Sequence, residues 1–385
     1  MKAMTGRERV LMAINHKEAD RVPINFGGEH DSGITESIPF GRVYTRLCQH
    51  LGFYDRPEPI VSDCLNIVSN IDDRVRKRFH ADMKPVGSGM KPAKIEADGS
   101  KTWEAFGGVR IRRNGFFDEF FDFPMRNMTK VEDLKNWPYW PDPKDPTITQ
   151  GKREEARKYH EETDFAILAS TWYAVMPFNA YSFLTGYDRW LMDMKLNPKF
   201  YFALSDKLME IGLAGLSAFL QEVGDYVDLV GTFDDLGSQE DILMSPADYR
   251  KFVHPYSAEI IKTIKKYTQA KIFRHACGSC YKIIPDFIEM GVDVLHPVQP
   301  GIKNHDPKKL KAEFGKDITF CTGIDVQRTL GYKTPKEIKE DVKRLLDIYA
   351  PGGGFIVSPT HNIEPETPPE NIVAAYEAAL EYGKY

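Results

Sequence analysis

Residues 269–301, QAKIFRHACGSCYKIIPDFIEMGVDVLHPVQPG, gather the chain's most reactive side chains. His275 and Cys277 stand one residue apart, and an imidazole beside a thiol is a donor pair suited to zinc. Without a ligand, the same pair is a histidine capping a carbonyl and a buried cysteine; spacing leaves both open. Cys280 completes a Cys-x-x-Cys with Cys277. No thioredoxin-like context surrounds it and no second Cys-x-x-Cys follows, so packing in the first turn of a helix is expected of it. Asp234 and Asp235, in GTFDDLGSQ, are paired carboxylates suited to proton transfer or to orienting a ligand histidine, or else a helix cap. Gln299 and Asp325 are strand-end polar groups expected to bind substrate, and Tyr173 and Trp172 either wall a cleft or pack in the core. Glu29, His30 and Asp31 are either site residues or a solvated loop. His296 is expected as a satisfied core residue.

These side chains fall where apolar runs stop. KIFRH ends at His275, VDVLHPVQ carries His296 and Gln299, FAILAST ends at Thr171, and YVDLVGTF ends before Asp234. DITFCTGID carries Cys321 and Asp325, and GGGFIVSPTHNI ends near His361. Helical stretches alternate with them: KREEARKYHEET, 179–223, SPADYRKFVHPYSAEIIKTIKKYT with Ser245 as cap, and KIIPDFIEM closed by Gly291. PKKLKAEFG, TPKEIKEDVKRLLDIYA capped by Thr334 with Pro335 first, and PPENIVAAYEAALEYG complete the series. In a parallel α/β architecture the carboxyl ends of strands hold the ligand. The regular alternation from residue 150 onward predicts a single (β/α)8 TIM barrel spanning residues 1–385.

The first third is less regular. TGRERVLMAINHK is a helix with Thr5 and Glu8 at capping-box spacing. RVPINFG is a first strand, and 38–82 reads as mainly helical. Residues 83–147 contain alternating runs with turn glycines, such as KIEADGSKTWEAFGGVRIRRNGFF, and then WPYWPDPKDPT. They are expected as an antiparallel hairpin insertion with an irregular connection.

Bulk properties limit the partners. The chain has 385 residues, 42% of them hydrophobic, and a net charge of −5 with no basic tract. Nucleic acid is therefore not an expected partner. No apolar run approaches the roughly 18 residues that span a bilayer, and the start lacks a signal-peptide core. The 5 cysteines do not form a disulfide framework, so a reducing cytoplasm is the expected setting.

RERVLMAINHKEADRVPINFGG, GTFDDLGSQ, HACG with IEMGVDVLHPVQ, FCTGID and GGGFIVSPTHNIEPETPPENI together resemble the uroporphyrinogen decarboxylase superfamily. The resemblance implies a single (β/α)8 barrel with a deep cleft at the strand carboxyl ends. Members that decarboxylate porphyrinogens carry an arginine-rich loop after the first strand, where this chain has NFGGEHDSG. Without those arginines a polycarboxylate loses its bidentate partners. The chain resembles more closely the branch of corrinoid-dependent zinc methyltransferases, which bind zinc through a His-x-Cys pair and a later cysteine. His275 and Cys277 match the pair, and His361 in HNIEPETPPEN takes the later position; Cys321 is the reserve ligand.

The expectation is therefore a zinc-dependent methyltransferase of one-carbon metabolism. It would move a methyl group between a small methylated substrate or thiol and a cobalamin-binding protein, with a homodimer as its assembly. Two rivals stand beside it. One is a metal-free decarboxylase of a carboxylated tetrapyrrole or aromatic; the other is a non-catalytic corrinoid- or tetrapyrrole-binding protein.

Overall fold

A computed structural model describes residues 4–36, 41–61, 66–88, 93–104, 107–114, 117–171 and 177–385. The expected cleft residues Trp172 and Tyr173 lie outside them. Among the described residues eleven strands are formed: β1 (Met83–Gly87), β2 (Lys94–Ile95), β3 (Lys101–Trp103), β4 (Val109–Asn114), β5 (Phe117–Asp122), β6 (Ala166–Ser170), β7 (Leu229–Phe233), β8 (Lys271–His275), β9 (Val294–His296), β10 (Thr319–Ile324) and β11 (Phe355–Pro359).

The apolar runs pair in parallel in chain order, giving a seven-stranded sheet β1-β6-β7-β8-β9-β10-β11; β2-β3-β4-β5 form a separate antiparallel sheet. Every residue of β6, β7, β10 and β11 is buried, as expected of a parallel sheet covered on both faces. Helices follow the strands as the periodicity predicts. Pro335–Tyr349 opens with a capping box between Thr334 and Glu337 and buries Ile338, Val342, Leu345, Leu346 and Tyr349 on one stripe. Each such side chain contributes roughly 1.5–3 kcal/mol. Gly291, at φ +86°, closes the helix Ile284–Met290, a conformation that favours glycine.

Alternate strand residues point into the curled sheet. Met83, Ala166, Leu168, Leu229, Phe273, Val294, Cys321 and Ile356 form this inner apolar layer, with Val10, Ala13 and Ile14 of the first helix packed on it. Two residues beyond Phe273 and Val294 come His275 and His296, on the same face and one layer nearer the carboxyl edge.

Three expectations are corrected. The strand expected at 21–27 makes only a single parallel bridge, Ile24 to Val357. Its neighbours are nonetheless the outermost strands. The Asn25 N–H donates to the Val357 carbonyl (2.7 Å), Val357 to Pro23 (2.9 Å), and Asp82, next to β1, to Ile24 (2.7 Å). Pro23 has no N–H to donate, and the Ile24 N–H goes to the Asp82 carboxylate at 2.8 Å, so no regular ladder forms. The stretch 38–82 is helical only at Val43–His50 and Asp73–Arg78 among the described residues; Gly52, Pro57 and Pro59 interrupt the rest. Within 83–147, Met83–Gly87 joins the parallel sheet, paired with β6 from Met83–Ala166 to Gly87–Ser170. Pro85 and Gly87 hide this strand from a pattern search. Among the described residues no helix is long and apolar enough to cross a membrane.

Candidate metal centre

The register of the sheet assembles the site. Phe233, His275 and His296 are aligned partners on β7, β8 and β9, so the three strands end level. His275 faces His296 directly, with ring centroids 5.0 Å apart, and His361, just past β11, brings its ring within 6.0 Å of His275. The loops beyond β7 and β8 are locked together by glycines. Gly278 adopts φ +77°, and a Cβ there would lie 2.2 Å from the Gly237 backbone. The Gly237 N–H donates to the Cys277 carbonyl at 3.1 Å. The close approach holds Cys277 beside Asp235.

Two metal-capable groups occur among the described residues, each with ligand atoms within 4.8 Å of one another: His275, Cys277 and His361, and Glu29, His275 and His296. His275 Nε2 is 3.2 Å from Cys277 Sγ and 3.7 Å from Asp235 Oδ1. The Cys277 N–H donates to that same carboxylate oxygen at 3.2 Å, and Asn179 holds the other oxygen at 3.1 Å. His275 and His296 are buried, whereas Cys277 and His361 are partly exposed, so the first group opens outward. Burial, with Asp235 and Asp31 adding to it, pushes the Cys277 thiol well above its ordinary value; a bound cation reverses that balance. Burial also lowers His275 and takes His296 down to about 3, favouring the neutral form of each ring.

The loop after residue 26 closes one side. The Gly33 N–H donates to Asn362 Oδ1 at 2.8 Å, tying this loop to the one carrying His361. Glu29 and Asp31 are buried, against the solvated-loop alternative. Glu29 Oε2 has no hydrogen-bond partner and lies 3.8 Å from His296 Nδ1; Asp31 Oδ2 lies 3.8 Å from His275 Nδ1. His30 and Glu29 border a cavity of about 320 Å³, also lined by Ser69, Arg76, Ser88 and Lys152.

The remaining expected residues lie apart from the group. Asp234 is fully buried beneath it, 3.3 Å from the equally buried Arg274, and burial pushes its carboxyl up to about 7 despite Arg274. Asp325 caps a turn, accepting from the Gln327 and Arg328 N–H groups, and faces a different cavity with Arg328 and Lys333. Gln299 is buried, and its carbonyl accepts from His305 at 3.3 Å. Cys280 points its thiol at the Ala276 and Cys277 carbonyls, 3.8 Å from each, a packing role. Cys321 lies in the inner apolar layer with its thiol 4.0 Å from Asn25 Nδ2, in neither metal-capable group. Sequence reasoning missed Asn179 and Arg274, and read His296 as core only. The sequence carries no signal for His296, because it falls opposite His275 only through the register of β8 and β9.

A parallel α/β sheet with its polar donors at the strand carboxyl ends defines the class. Residues 170–382, more than half of the chain, match the sequence model of the uroporphyrinogen decarboxylase (URO-D) family, and the chain belongs to that family. Uroporphyrinogen decarboxylases of Geobacter metallireducens and Geobacter sulfurreducens are each 28% identical over 182 residues, which is 47% of this chain and 48% of theirs. That of Citrifermentans bemidjiense is 29% identical over 185 residues, with the same shares. The chain thus spans about half the length of the curated relatives it matches. A methyltransferase from Methanosarcina mazei superposes with a TM-score of 0.65 at 18% identity, covering 98% of this chain and 99% of that one. At that identity the likeness establishes the fold.

Proposed function

We propose that this protein is a zinc-dependent methyltransferase that moves a methyl group between a small methylated substrate or thiol and the cobalamin of a separate corrinoid protein docked at the strand carboxyl ends. The observation that carries this reading is the convergence of His275, Cys277 and His361. Two imidazoles and a thiol from two strand ends are a zinc donor set, and three protein ligands leave a position for substrate. In this reading residues 21–26 serve as the eighth strand, supported by their hydrogen bonds toward both β11 and β1, and the setting is a reducing cytoplasm.

Zinc, when bound, holds a thiol as thiolate near neutral pH or polarises an ether oxygen. The chain's own groups then have distinct tasks. Asp235, 37% exposed at its side chain and fixed by Asn179 and the Cys277 N–H, takes the proton that a substrate thiol releases. His275, Cys277 and His361 would hold the zinc that activates the thiol, and the cobalamin of the partner protein would supply or accept the methyl group. The cavity beside His30 takes the unreactive part of the small substrate. Asp234 and Arg274 support the β7 and β8 ends from below.

Decarboxylation is the second reading, favoured by the names of the matched relatives and opposed by the arginine-free NFGGEHDSG loop. Anaerobic incubation of the zinc-loaded protein with methylcobalamin and a panel of simple thiols separates the two. Thiol-dependent loss of the methylcobalamin spectrum, abolished by Cys277→Ser, supports methyl transfer. Carbon dioxide release from uroporphyrinogen by metal-free protein would replace that reading with decarboxylation.

A further inference from the structure

His275 and His296 admit one consistent placement of protons. His296 Nε2 is 2.9 Å from the Pro359 carbonyl oxygen. A carbonyl only accepts, so that nitrogen carries hydrogen. His296 Nδ1 is 2.9 Å from His275 Nδ1, a distance at which the two nitrogens share one proton. His296 is wholly buried, Glu29 Oε2 stands 3.8 Å from its Nδ1 without a hydrogen bond between them, and burying an imidazolium whose N–H groups are not both accepted is costly. A neutral ring has a single N–H, already committed at Nε2. The shared proton therefore sits on His275 Nδ1, and His275 Nε2 keeps its lone pair on the side of Cys277.

The other polar groups around the pair do not displace this bond. Asp31 Oδ2 stands 3.8 Å from His275 Nδ1 and Glu29 Oε2 3.8 Å from His296 Nδ1, both beyond hydrogen-bond reach. Asp235 faces only the Nε2 side, at 3.7 Å. The Ser358 hydroxyl also donates to the Pro359 carbonyl, at 3.0 Å, leaving its second lone pair for His296.

We infer that His296 is a positioning residue: braced by the Pro359 carbonyl, it holds His275 in the Nδ1–H tautomer and so presents Nε2 as the donor nitrogen. Its consequence for zinc rests on the metal reading above; the tautomer itself does not. The end of β11 then acts twice, since Pro359 terminates the relay and His361, two residues on, supplies another donor. A more usual partner for such a histidine is a carboxylate or carbonyl; here an intervening imidazole transmits the carbonyl's demand.

The test uses the full chain, metal-free, with ¹⁵N-labelled histidine, and reads the protonation of each ring nitrogen by NMR, His275→Gln assigning the signal. Zinc affinity is measured by chelator competition in wild type, His296→Leu and His296→Asn. The expected result is a His275 proton on Nδ1. Zinc affinity should drop about ten- to a hundredfold in His296→Leu, with most of it kept in His296→Asn, which retains an acceptor. A His275 proton on Nε2 or on both nitrogens, or wild-type zinc affinity in His296→Leu, overturns the inference. Wild-type protein that binds no zinc yet shows the Nδ1–H tautomer removes the metal reading and leaves the relay standing.

Discussion

Asp235 and Asn179 hold one another by two hydrogen bonds: Asn179 Nδ2 donates to Asp235 Oδ2 at 3.1 Å, and the Asp235 N–H donates to Asn179 Oδ1 at 3.2 Å. The clasp leaves Asp235 Oδ1 facing Cys277 and His275, so the carboxylate's place at the site depends on a helix residue 56 positions earlier. Asp235→Asn keeps acceptor and donor atoms here but removes the base. We expect near-native stability with methyl transfer slowed by about a hundredfold or more. Turnover at the wild-type rate would remove Asp235 from proton transfer.

Arg274 and Asp234 are both almost completely buried. Replacing one partner strands the other without solvent, at a cost of about 3–5 kcal/mol. Arg274→Met should therefore lower the urea midpoint sharply, and Arg274→Met with Asp234→Leu should recover much of the loss. A single variant as stable as wild type would show that the pair contributes nothing to holding the strand ends.

His305 gives the protein an acid-sensitive stability. Its Nδ1–H donates to the Gln299 carbonyl, Nε2 is buried with no partner, and burial lowers the ring to about 4. Charging it would place a second proton where nothing accepts it. Above the ordinary value near 6.5 the unfolded chain binds no extra proton and stability is full. Between about 6.5 and 4 the unfolded chain takes up a proton that the folded one refuses, so stability falls by roughly 3 kcal/mol as pH drops. Denaturant titrations across this range should show the slope in wild type and a shallower one in His305→Asn.

Much of this was legible in the chain, and the exceptions have physical causes. The buried strands β6 to β11 announce themselves as short apolar runs, and Thr5, Ser245, Thr334 and Gly291 mark helix ends by their capping chemistry. Strand β1 did not, because Pro85 and Gly87 break its pattern and Lys84, buried against Asp73, makes it look polar. Residues 21–27 read as a strand, but proline and the Asp82 side chain take the place of ladder bonds. His275 ends β8 and Cys277 and His361 lie two residues past β8 and β11, as the apolar runs imply, whereas a histidine inside an apolar run, His296, reads the same whether it packs or orients a neighbour. Only register, which sequence leaves open, distinguishes the two.

Cys321 tests how deep the site reaches. It stands three residues before the end of β10, one layer below the donors, and burial pushes its thiol up to about 12. Thiolate is the reactive form, so native protein near pH 8 should leave Cys321 unalkylated, and Cys321→Ala should bind as much metal as wild type. Loss of metal in Cys321→Ala would move the centre inward.

Metal content tests the central claim most directly. Protein purified under reducing, chelator-free conditions is analysed by plasma emission beside Cys277→Ser and His361→Ala. The account predicts about one zinc per chain in wild type, lost in both variants while their folding, followed by circular dichroism, is retained. Wild-type protein that carries no zinc and takes up none on addition would contradict it.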